Sequence, residues 1–460
     1  MKAMSTPISD FIERTIAGGA ARLHVPGHKG VGPLGCEPWD ITEIAGADEL
    51  YAASGIIAES ERNAAAHFGT AATFYSCEGS SLCIRAMLAL AMTHRSAPGK
   101  RPVALAARNA HKAFLYAAAL CDFDVEWLGP GAPPADASDP RAGRADSLCA
   151  CPVTPGALAT RLDALAARPF CVYVTSPDYL GGVQDIAGLS QVCHRRGVPL
   201  IVDNAHGAYL KFLPESRHPM DLGADLCCDS AHKTLPVLTG GAYLHVSKAA
   251  DPRFAEGARQ ALALFGSTSP SYLILQSLDR CNAALAGDWP ERLRKAAARV
   301  DTLRQALRGR GFREISGEPM KLTLEGDGFA MAEKLRAGSV ECEYADRRHV
   351  VLMFSPDNRD GDFERVDRAL DAPLPLPDGA GHPGVPRLQR AMTIREAVFA
   401  ASETVPVREA VGRVCAAPAV ACPPAIPIAV SGEVLDEAAV KVFLENGLES
   451  VRVVREGTSR

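Results

Sequence analysis

The segments VPLIVD at 198–203 and DSAHKT at 229–234 decide the fold of this chain. The first is a nearly continuous apolar run that ends on Asp203, a pattern typical of a strand covered on both faces in a parallel sheet. Segments of this kind alternate with amphipathic helical patterns along much of the chain. That alternation predicts an α/β fold in which helices wrap a mostly parallel sheet.

The same two segments carry the residues with the clearest chemistry. Asp203 ends a predicted strand, and Lys233 follows thirty residues later in a polar loop. A lysine amine forms a Schiff base with the aldehyde of pyridoxal phosphate, and a carboxylate keeps the pyridine nitrogen of that cofactor protonated. The alternatives are that Asp203 is a helix cap and that Lys233 is an exposed loop lysine. The apolar residues at 235–238 and the two glycines after them favour a loop that packs inward.

Two further groups of residues stand at the ends of predicted elements. Gly79, Ser80 and Ser81 open an apolar helix, where backbone N–H groups and hydroxyls can bind a phosphate. An ordinary helix cap is the alternative. His111 follows a predicted strand, at the edge where open α/β sheets bind ligands. Its ring is expected to stack on a pyridine ring, and a helix-capping or merely exposed histidine is the alternative.

Polar residues downstream extend the candidate site. His206, three residues after Asp203, is expected beside the ring as a group that moves a proton, with a structural histidine as the alternative. Ser230 and His232 flank the lysine and can reach the phosphate. Thr268 and Ser269 precede another predicted helix, either as its start signal or as phosphate contacts that a neighbouring subunit uses.

Composition narrows the class of protein. The chain has 460 residues, of which 47% are hydrophobic and 22% charged, and its net charge is −5. These values are ordinary for a globular enzyme and give no electrostatic case for binding nucleic acid or an anionic membrane. No apolar run is long enough to span a bilayer and no signal peptide is recognisable, so a cytoplasmic location is expected. The fourteen cysteines are scattered and lack metal-ligand spacing, so we expect buried free thiols rather than a zinc or disulfide role.

The chain divides into four predicted parts. An irregular arm at 1–60 precedes a large α/β domain at 61–285. A smaller α+β domain follows at 286–375, and a last part spans 387–460. A surface loop is predicted at 129–156 and a Pro/Gly linker at 372–386, and the last part is predicted to begin with a helix at 393–402.

Motifs in a fixed order give the chain a family resemblance. It resembles the Orn/Lys/Arg decarboxylase family of fold-type-I pyridoxal phosphate enzymes, in its short form. The matching motifs are HVPGHKG at 24–30, DEL at 48–50 with GII at 55–57, GSS at 79–81, RNAHK at 108–112, TSPDYLG at 175–181, DNAHG at 203–207, SAHKTL at 230–235, TSPSY at 268–272, EAVGR at 409–413 and PPAIP at 423–427.

The resemblance implies a role for each matched position. Lys233 is the Schiff-base lysine, Asp203 pairs with the pyridine nitrogen, and His206 lies near the substrate Cα. The residues implied to bind the cofactor are Gly79, Ser80, Ser81, His111, Asp203, Ala205, Ser230, His232, Lys233, Thr268 and Ser269. No metal site is expected. The segment at 268–269 is implied to reach across a dimer interface, which makes a homodimer the minimum assembly.

Several positions depart from the family pattern and put the substrate in doubt. Glu78 stands beside the phosphate motif where an uncharged Asn is usual, Arg85 replaces a Lys, Tyr51 a His, and Ala425 a Gly. An anion beside a phosphate costs energy unless it is turned away or paired.

The expected function is decarboxylation of a basic amino acid, with arginine first, lysine close behind and ornithine third. The alternatives are an aminotransferase or Cα–Cβ lyase, and a non-catalytic cofactor-binding or regulatory relic. A metal hydrolase built on His28, Asp203 and His206 is a weaker alternative. The Asp-x-x-His spacing of Asp203 and His206 is common, and no third ligand is evident from the sequence.

Overall fold

The chain forms two compact units in a computed structural model. One unit comprises Met1–Ser96 and Cys193–Arg294, and the other Ala97–Val192 and Lys295–Arg460. The four-part domain division remains a prediction. The structure describes residues 4–96, 99–129, 147–377, 386–417, 419–421 and 426–457.

Among the described residues, the strands of the main sheet run in the order β1-β7-β6-β5 in the first unit and β4-β2-β3 in the second. Strand β5 is parallel to β6, and β2 is parallel to both β3 and β4, whereas β7 is antiparallel to β1 and β6. The predicted α/β fold with a mostly parallel sheet is therefore confirmed. The strands are β1 (Ala72–Ser76), β2 (Val103–Ala107), β3 (Asp124–Leu128), β4 (Cys171–Thr175), β5 (Leu200–Asp203), β6 (Leu226–Asp229) and β7 (Ala242–Val246).

The helices differ in length from one turn to six. The shortest, α7, follows β6 directly, and the longest is α10. In chain order they are α1 (Pro7–Ala17), α2 (Ile56–Phe68), α3 (Gly79–Arg95), α4 (Lys112–Cys121), α5 (Pro155–Ala164), α6 (Ile186–Arg195), α7 (Ala231–Thr234), α8 (Pro252–Ala263), α9 (Tyr272–Ala286), α10 (Trp289–Gly309), α11 (Gly328–Ala337), α12 (Asp360–Ala369), α13 (Ile394–Phe399) and α14 (Glu437–Glu445).

The first unit is built around helix α3. This helix packs against α8, β6 and β7, and ten of its residues are buried. A helix that is apolar on most sides must be covered on most sides, so the body of α3 lies in the core of the unit. Every residue of β5, β6 and β7 is buried as well. The ends of β5 and β6, where the candidate site residues stand, are thus held by a rigid core.

The second unit contains β2, β3 and β4 and an antiparallel sheet in the order β10-β11-β9-β8. With α11 and α12 this second sheet supplies the α+β character expected after residue 286. A separate cluster of buried apolar residues around Ile428, Phe443 and Val453 holds the C-terminal part together. The further strands are β8 (Arg313–Glu314), β9 (Lys321–Glu325), β10 (Tyr344–Ala345), β11 (His349–Met353), β12 (Ser402–Pro406), β13 (Ala419–Ala421), β14 (Ile426–Ala429) and β15 (Ser450–Val454).

The predicted helix at 393–402 is wrong at its C-terminal end. Helix α13 stops at Phe399, and the chain enters β12 at Ser402 because that strand pairs with β15. The predicted loop at 129–156 and linker at 372–386 fall largely outside the described residues. Of the thirteen cysteines that the structure describes, all are free thiols and nine are buried, as expected. No helix within the described ranges is both long and apolar enough to cross a membrane.

Candidate active site

Lys233 projects from a one-turn helix at the end of a buried strand. Helix α7 begins immediately after Ser230, its N-cap, which itself follows β6. The lysine side chain is exposed, and its Nζ lies 3.0 Å from Nε2 of His206, which is buried. The pair shares one proton: His206 accepts when the amine is charged and donates when the amine is neutral. The structure thus gives an accessible amine a neighbouring group that can take its proton.

Asp203 closes strand β5 with a side chain that is only 2% exposed. Its Oδ1 accepts hydrogen bonds from the backbone N–H of Ala205 at 3.2 Å and the thiol of Cys228 at 3.7 Å. The bond to Ala205 closes a local turn of the backbone rather than capping a helix, so the helix-cap alternative does not describe this residue. Asp203 and Lys233 belong to the same unit, at the ends of adjacent parallel strands.

The first turn of α3 offers hydrogen-bond donors for an anion. Glu78, at the N-cap, makes no side-chain capping bond to this helix. The hydroxyl of Ser230 donates to the hydroxyl of Ser80 at 2.8 Å, so two predicted phosphate residues from distant parts of the chain meet here. Gly79 adopts a left-handed conformation with φ of 69°, and a Cβ built on it has no neighbour within 4 Å, so space is open beside it. Ser81 is half-buried in the same turn.

His232 is held by the backbone carbonyl of Gly241. Its Nδ1 lies 3.1 Å from that oxygen, and because a carbonyl only accepts, Nδ1 carries a proton. Burial lowers the pKa of His232, the bond to Gly241 opposes that shift, and the charge of Lys233 lowers the pKa further. Because Nδ1 holds one proton, Nε2 would need a second proton before it could donate to a phosphate.

Thr268 and Ser269 lie in an exposed turn, which the carboxylate of Glu78 links to the N-terminus of helix α3. The Oε1 of Glu78 accepts the backbone N–H of Ser267 at 2.6 Å, and the hydroxyl of Ser267 accepts the N–H of Ser269 at 3.2 Å. Glu78, which looked out of place beside a phosphate, is thus paired with backbone N–H and holds the 267–269 turn near the N-terminus of α3. The cross-subunit role of Thr268 and Ser269 stays a prediction.

His111 belongs to the other unit, where it is the N-cap of α4. Its Nδ1 accepts the backbone N–H of Ala113 at 3.2 Å. The helix-capping alternative therefore holds for Nδ1, at the edge of this ring. A capped ring also has a fixed orientation, which is compatible with stacking, and that role stays a prediction.

One cluster near the site was not assigned from the sequence. Asp229, the last residue of β6, is 0% exposed and accepts from Nε2 of His218 at 3.0 Å and Nε2 of His245 at 3.1 Å. Its other oxygen accepts from the side-chain amide of Asn204 at 2.6 Å. The signal in the sequence was a second acid at a strand end, one residue before Ser230, but its histidine partners lie 11 and 16 residues away.

Tautomers argue against a metal in this cluster. Among the described residues, His218, Asp229 and His245 are the one group of three whose ligand atoms converge, and the postulated set of His28, Asp203 and His206 is not such a group. The Nδ1 of His218 accepts the backbone N–H of Met220 at 3.3 Å, so it bears no proton. The proton is then on Nε2, which donates to the carboxylate and cannot ligate an ion.

A sheet of this order with a lysine and an acid at the ends of neighbouring strands defines a fold-type-I pyridoxal phosphate enzyme. Comparison with family models narrows this class. Residues 38–324 match the model described as "Orn/Lys/Arg decarboxylase, major domain", and residues 383–450 match "Orn/Lys/Arg decarboxylase, C-terminal domain". The chain belongs to the Orn/Lys/Arg decarboxylase family and is a pyridoxal phosphate-dependent decarboxylase.

Full-length relatives agree with this membership. An arginine decarboxylase of Bacillus subtilis is 28% identical over 491 residues, which cover 97% of this chain and 94% of the relative. An arginine decarboxylase of Halalkalibacterium halodurans is 27% identical, with 96% of this chain and 93% of the relative covered. The uncharacterized protein YaaO of Bacillus subtilis is also 28% identical, over 95% of this chain and 93% of its own length.

Solved structures share the fold at low sequence identity. The constitutive lysine decarboxylase of Escherichia coli superposes with a TM-score of 0.75 at 17% identity, covering 98% of this chain and 82% of that one. A serine palmitoyltransferase of Sphingomonas wittichii gives 0.54 at 13% identity, with 80% and 83% covered. These two likenesses cover 98% and 80% of this chain and support the same fold class.

The residues of the first unit fit the cofactor that the family uses. An exposed amine, a buried carboxylate and an uncapped helix N-terminus with two serine hydroxyls are the donor and acceptor set that an aldehyde, a pyridine nitrogen and a phosphate require. Ser80 and Ser230 would hold the phosphate and Lys233 the aldehyde carbon. Pyridoxal phosphate is the cofactor of this enzyme.

Removing one serine hydroxyl is expected to weaken cofactor binding. The Ser230→Ala variant should bind pyridoxal phosphate about 10- to 150-fold more weakly, since a hydrogen bond to a charged group contributes about 1.5–3 kcal/mol. Absorbance titration of the cofactor-free protein measures this. The control is Ser247→Ala, whose hydroxyl only accepts from Ala249 N–H after β7 and should leave the affinity unchanged. Unchanged affinity in Ser230→Ala would remove that residue from the phosphate site.

Proposed function

We propose that this enzyme removes the α-carboxylate of a basic L-amino acid, releasing CO2 and the corresponding amine, with arginine the first candidate substrate, lysine the second and ornithine the third. Family membership supports the basic side chain, and relatives named arginine decarboxylase at 25–28% identity favour arginine. The observation that carries the proposal is the 3.0 Å contact between Lys233 Nζ and His206 Nε2, with Asp203 at the end of β5, the strand that pairs with β6. We expect it to act in the cytoplasm as a homodimer or higher homo-oligomer, within polyamine metabolism.

Bound pyridoxal phosphate supplies an electron sink conjugated to the substrate Cα. Asp203 keeps that sink effective, because its buried carboxylate would pair with the protonated pyridine nitrogen. Lys233 would hold the cofactor through its side-chain amine. A proton on Lys233 Nζ or on His206 Nε2, 3.0 Å apart, would be available to the substrate Cα.

His206 sits where it can serve two proton transfers. Its Nε2 is 3.0 Å from the lysine amine, a normal hydrogen-bond distance, and the ring is 5% exposed. A buried imidazole next to an exposed amine can accept the amine proton before the substrate binds and return one after CO2 leaves. In this proposal the lysine has the covalent role, and the lysine and the histidine share the acid–base role.

The test is product analysis with each basic amino acid in turn. Purified holoenzyme should release 14CO2 from carboxyl-labelled arginine with a kcat/KM at least about tenfold above that for lysine or ornithine, a difference of about 1.4 kcal/mol in transition-state binding. The amine product is identified by mass. Transfer of the amino group to an added keto acid without CO2 release would instead indicate an aminotransferase. Bound cofactor without turnover of any amino acid would indicate a non-catalytic relic.

A further inference from the structure

The buried carboxylate of Asp229 connects the two segments that carry the predicted cofactor residues. Asn204, whose amide it accepts at 2.6 Å, is the residue after Asp203. Ser230, the residue after Asp229, donates to Ser80. One side chain therefore stands between the segment expected to hold the pyridine nitrogen and the segment expected to hold the phosphate.

The carboxylate is ionised and its partners are fixed. Both oxygens of Asp229 receive N–H donors. Burial raises the pKa of this carboxyl, but the nearby His218 and His245 hold it well below its usual range. The Nδ1 of His218 accepts from the backbone N–H of Met220, and the Nδ1 of His245 pairs with the hydroxyl of Thr73. A buried carboxylate with side-chain donors on both oxygens is thus left in the core of the unit.

The surroundings leave this network little freedom. Phe68 packs its ring 4.4 Å from the ring of His245 and 5.3 Å from that of His218, measured between centroids. His218, Asp229, His245 and Asn204 are each 0% exposed. Side chains enclosed this closely keep one arrangement, so the position of the Asp229 carboxylate is determined by the core rather than by the site.

Asn204 depends on that carboxylate for its orientation. A carboxylate only accepts, so the NH2 group of Asn204 must face Asp229. Its Oδ1 is buried and has no hydrogen-bond partner among the described residues. Its backbone N–H donates to Cys228 O at 3.0 Å, next to Asp229 in β6. The hydrogen bond from its side-chain amide to Asp229 thus orients Asn204, the residue directly after Asp203.

We propose that Asp229 and Asn204 are positioning residues that fix the spacing between Asp203 and the Ser80–Ser230 pair, so that the site is preorganised for both ends of the cofactor. This inference rests on the proposed function only for the assignment of Asp203 to the pyridine nitrogen and of Ser80 and Ser230 to the phosphate. Preorganised groups bind more tightly because less ordering is needed on binding. Cutting the link should weaken cofactor affinity without changing which lysine is used.

The experiment measures cofactor affinity and apoprotein stability side by side. Asn204→Ala is expected to bind pyridoxal phosphate about tenfold more weakly, by absorbance titration, while borohydride reduction still labels Lys233. Asp229→Asn should stay within about threefold of wild type, because Asn204 can rotate its amide by 180° and present Oδ1 to the new NH2 group. Asn204→Ser keeps a shorter hydrogen-bond donor, so its cofactor affinity should lie between those of Asn204→Ala and wild type. It replaces the alanine variant if that variant does not fold.

A structural control separates positioning from general damage. Asp225 is a buried acid at the opposite end of β6, paired with His194 at 2.9 Å and with Leu200 N–H at 2.8 Å. Asp225→Asn is expected to lower the apoprotein melting temperature and leave cofactor affinity unchanged. Wild-type affinity in Asn204→Ala or Asn204→Ser, or an affinity loss in Asp225→Asn as large as theirs, overturns the inference. Because affinity is read without turnover, failure of the decarboxylase assay with tight cofactor binding would contradict the proposed function alone.

Discussion

The Lys233→Ala variant is expected to lose decarboxylation by about 10⁴-fold and to lose the yellow absorbance of lysine-bound cofactor. The variant removes both the covalent attachment point and a proton donor, and acid–base groups alone supply about 10²–10⁴-fold. Rate of CO2 release and the absorbance spectrum of the dialysed holoprotein measure the two losses. Both should occur together, because one amine serves both roles.

Two further variants make the lysine assignment specific. Lys233→Arg keeps a positive charge, but a guanidinium stays protonated near neutral pH and offers no nucleophilic nitrogen. This variant should therefore lose activity as fully as the alanine variant. Lys248→Ala removes another exposed lysine of the same unit and should behave as wild type. Full activity in Lys233→Ala, or loss of the absorbance in Lys248→Ala, would contradict the assignment.

The Asp203→Asn variant is expected to reduce kcat by about 10²–10³-fold while the cofactor remains attached to Lys233. An amide keeps the shape of the carboxylate and can still accept from Ala205 N–H, but it cannot hold the pyridine nitrogen protonated. Preorganised charges of this kind are worth about two to three orders of magnitude in rate. The measurement is kcat against KM with the preferred substrate, and the loss should lie in kcat.

The control for this prediction is Asp225→Asn, a second buried acid on the neighbouring strand. It should leave kcat within about threefold of wild type, because its partners are His194 and the backbone N–H of Leu200, at the end of β6 opposite to the lysine. An Asp203→Asn enzyme with unchanged kcat would mean that the acid does not face the cofactor nitrogen.

Apolar runs that alternate with helical patterns, such as β2 and the helix α4 after it, predicted an α/β fold with a mostly parallel sheet. Strands β6 and β7 were not predicted. Only the one-turn helix α7 and a short loop separate β6 from β7, too short for the helical crossover that joins parallel strands, so β7 runs antiparallel.

Long-range pairing explains the other misses. Strand β12 follows α13 closely and reads as its continuation, and only its partner β15, about fifty residues on, makes it a strand. At the candidate site, the acid was recognisable because it closes an apolar run, and the lysine because it lies in a polar segment followed by apolar residues. The contact of Glu78 with Ser267 spans 189 residues, and the partners of Asp229 come from three separate segments. No local sequence pattern therefore predicts these hydrogen bonds.

Reductive trapping tests the central claim most directly. Borohydride reduction of the holoprotein makes the link between lysine and cofactor permanent, and peptide mass spectrometry then locates it. The account predicts one added pyridoxyl phosphate group on the peptide that contains Lys233 and on no other. A label on a different lysine, or an unlabelled protein that still decarboxylates, would contradict it.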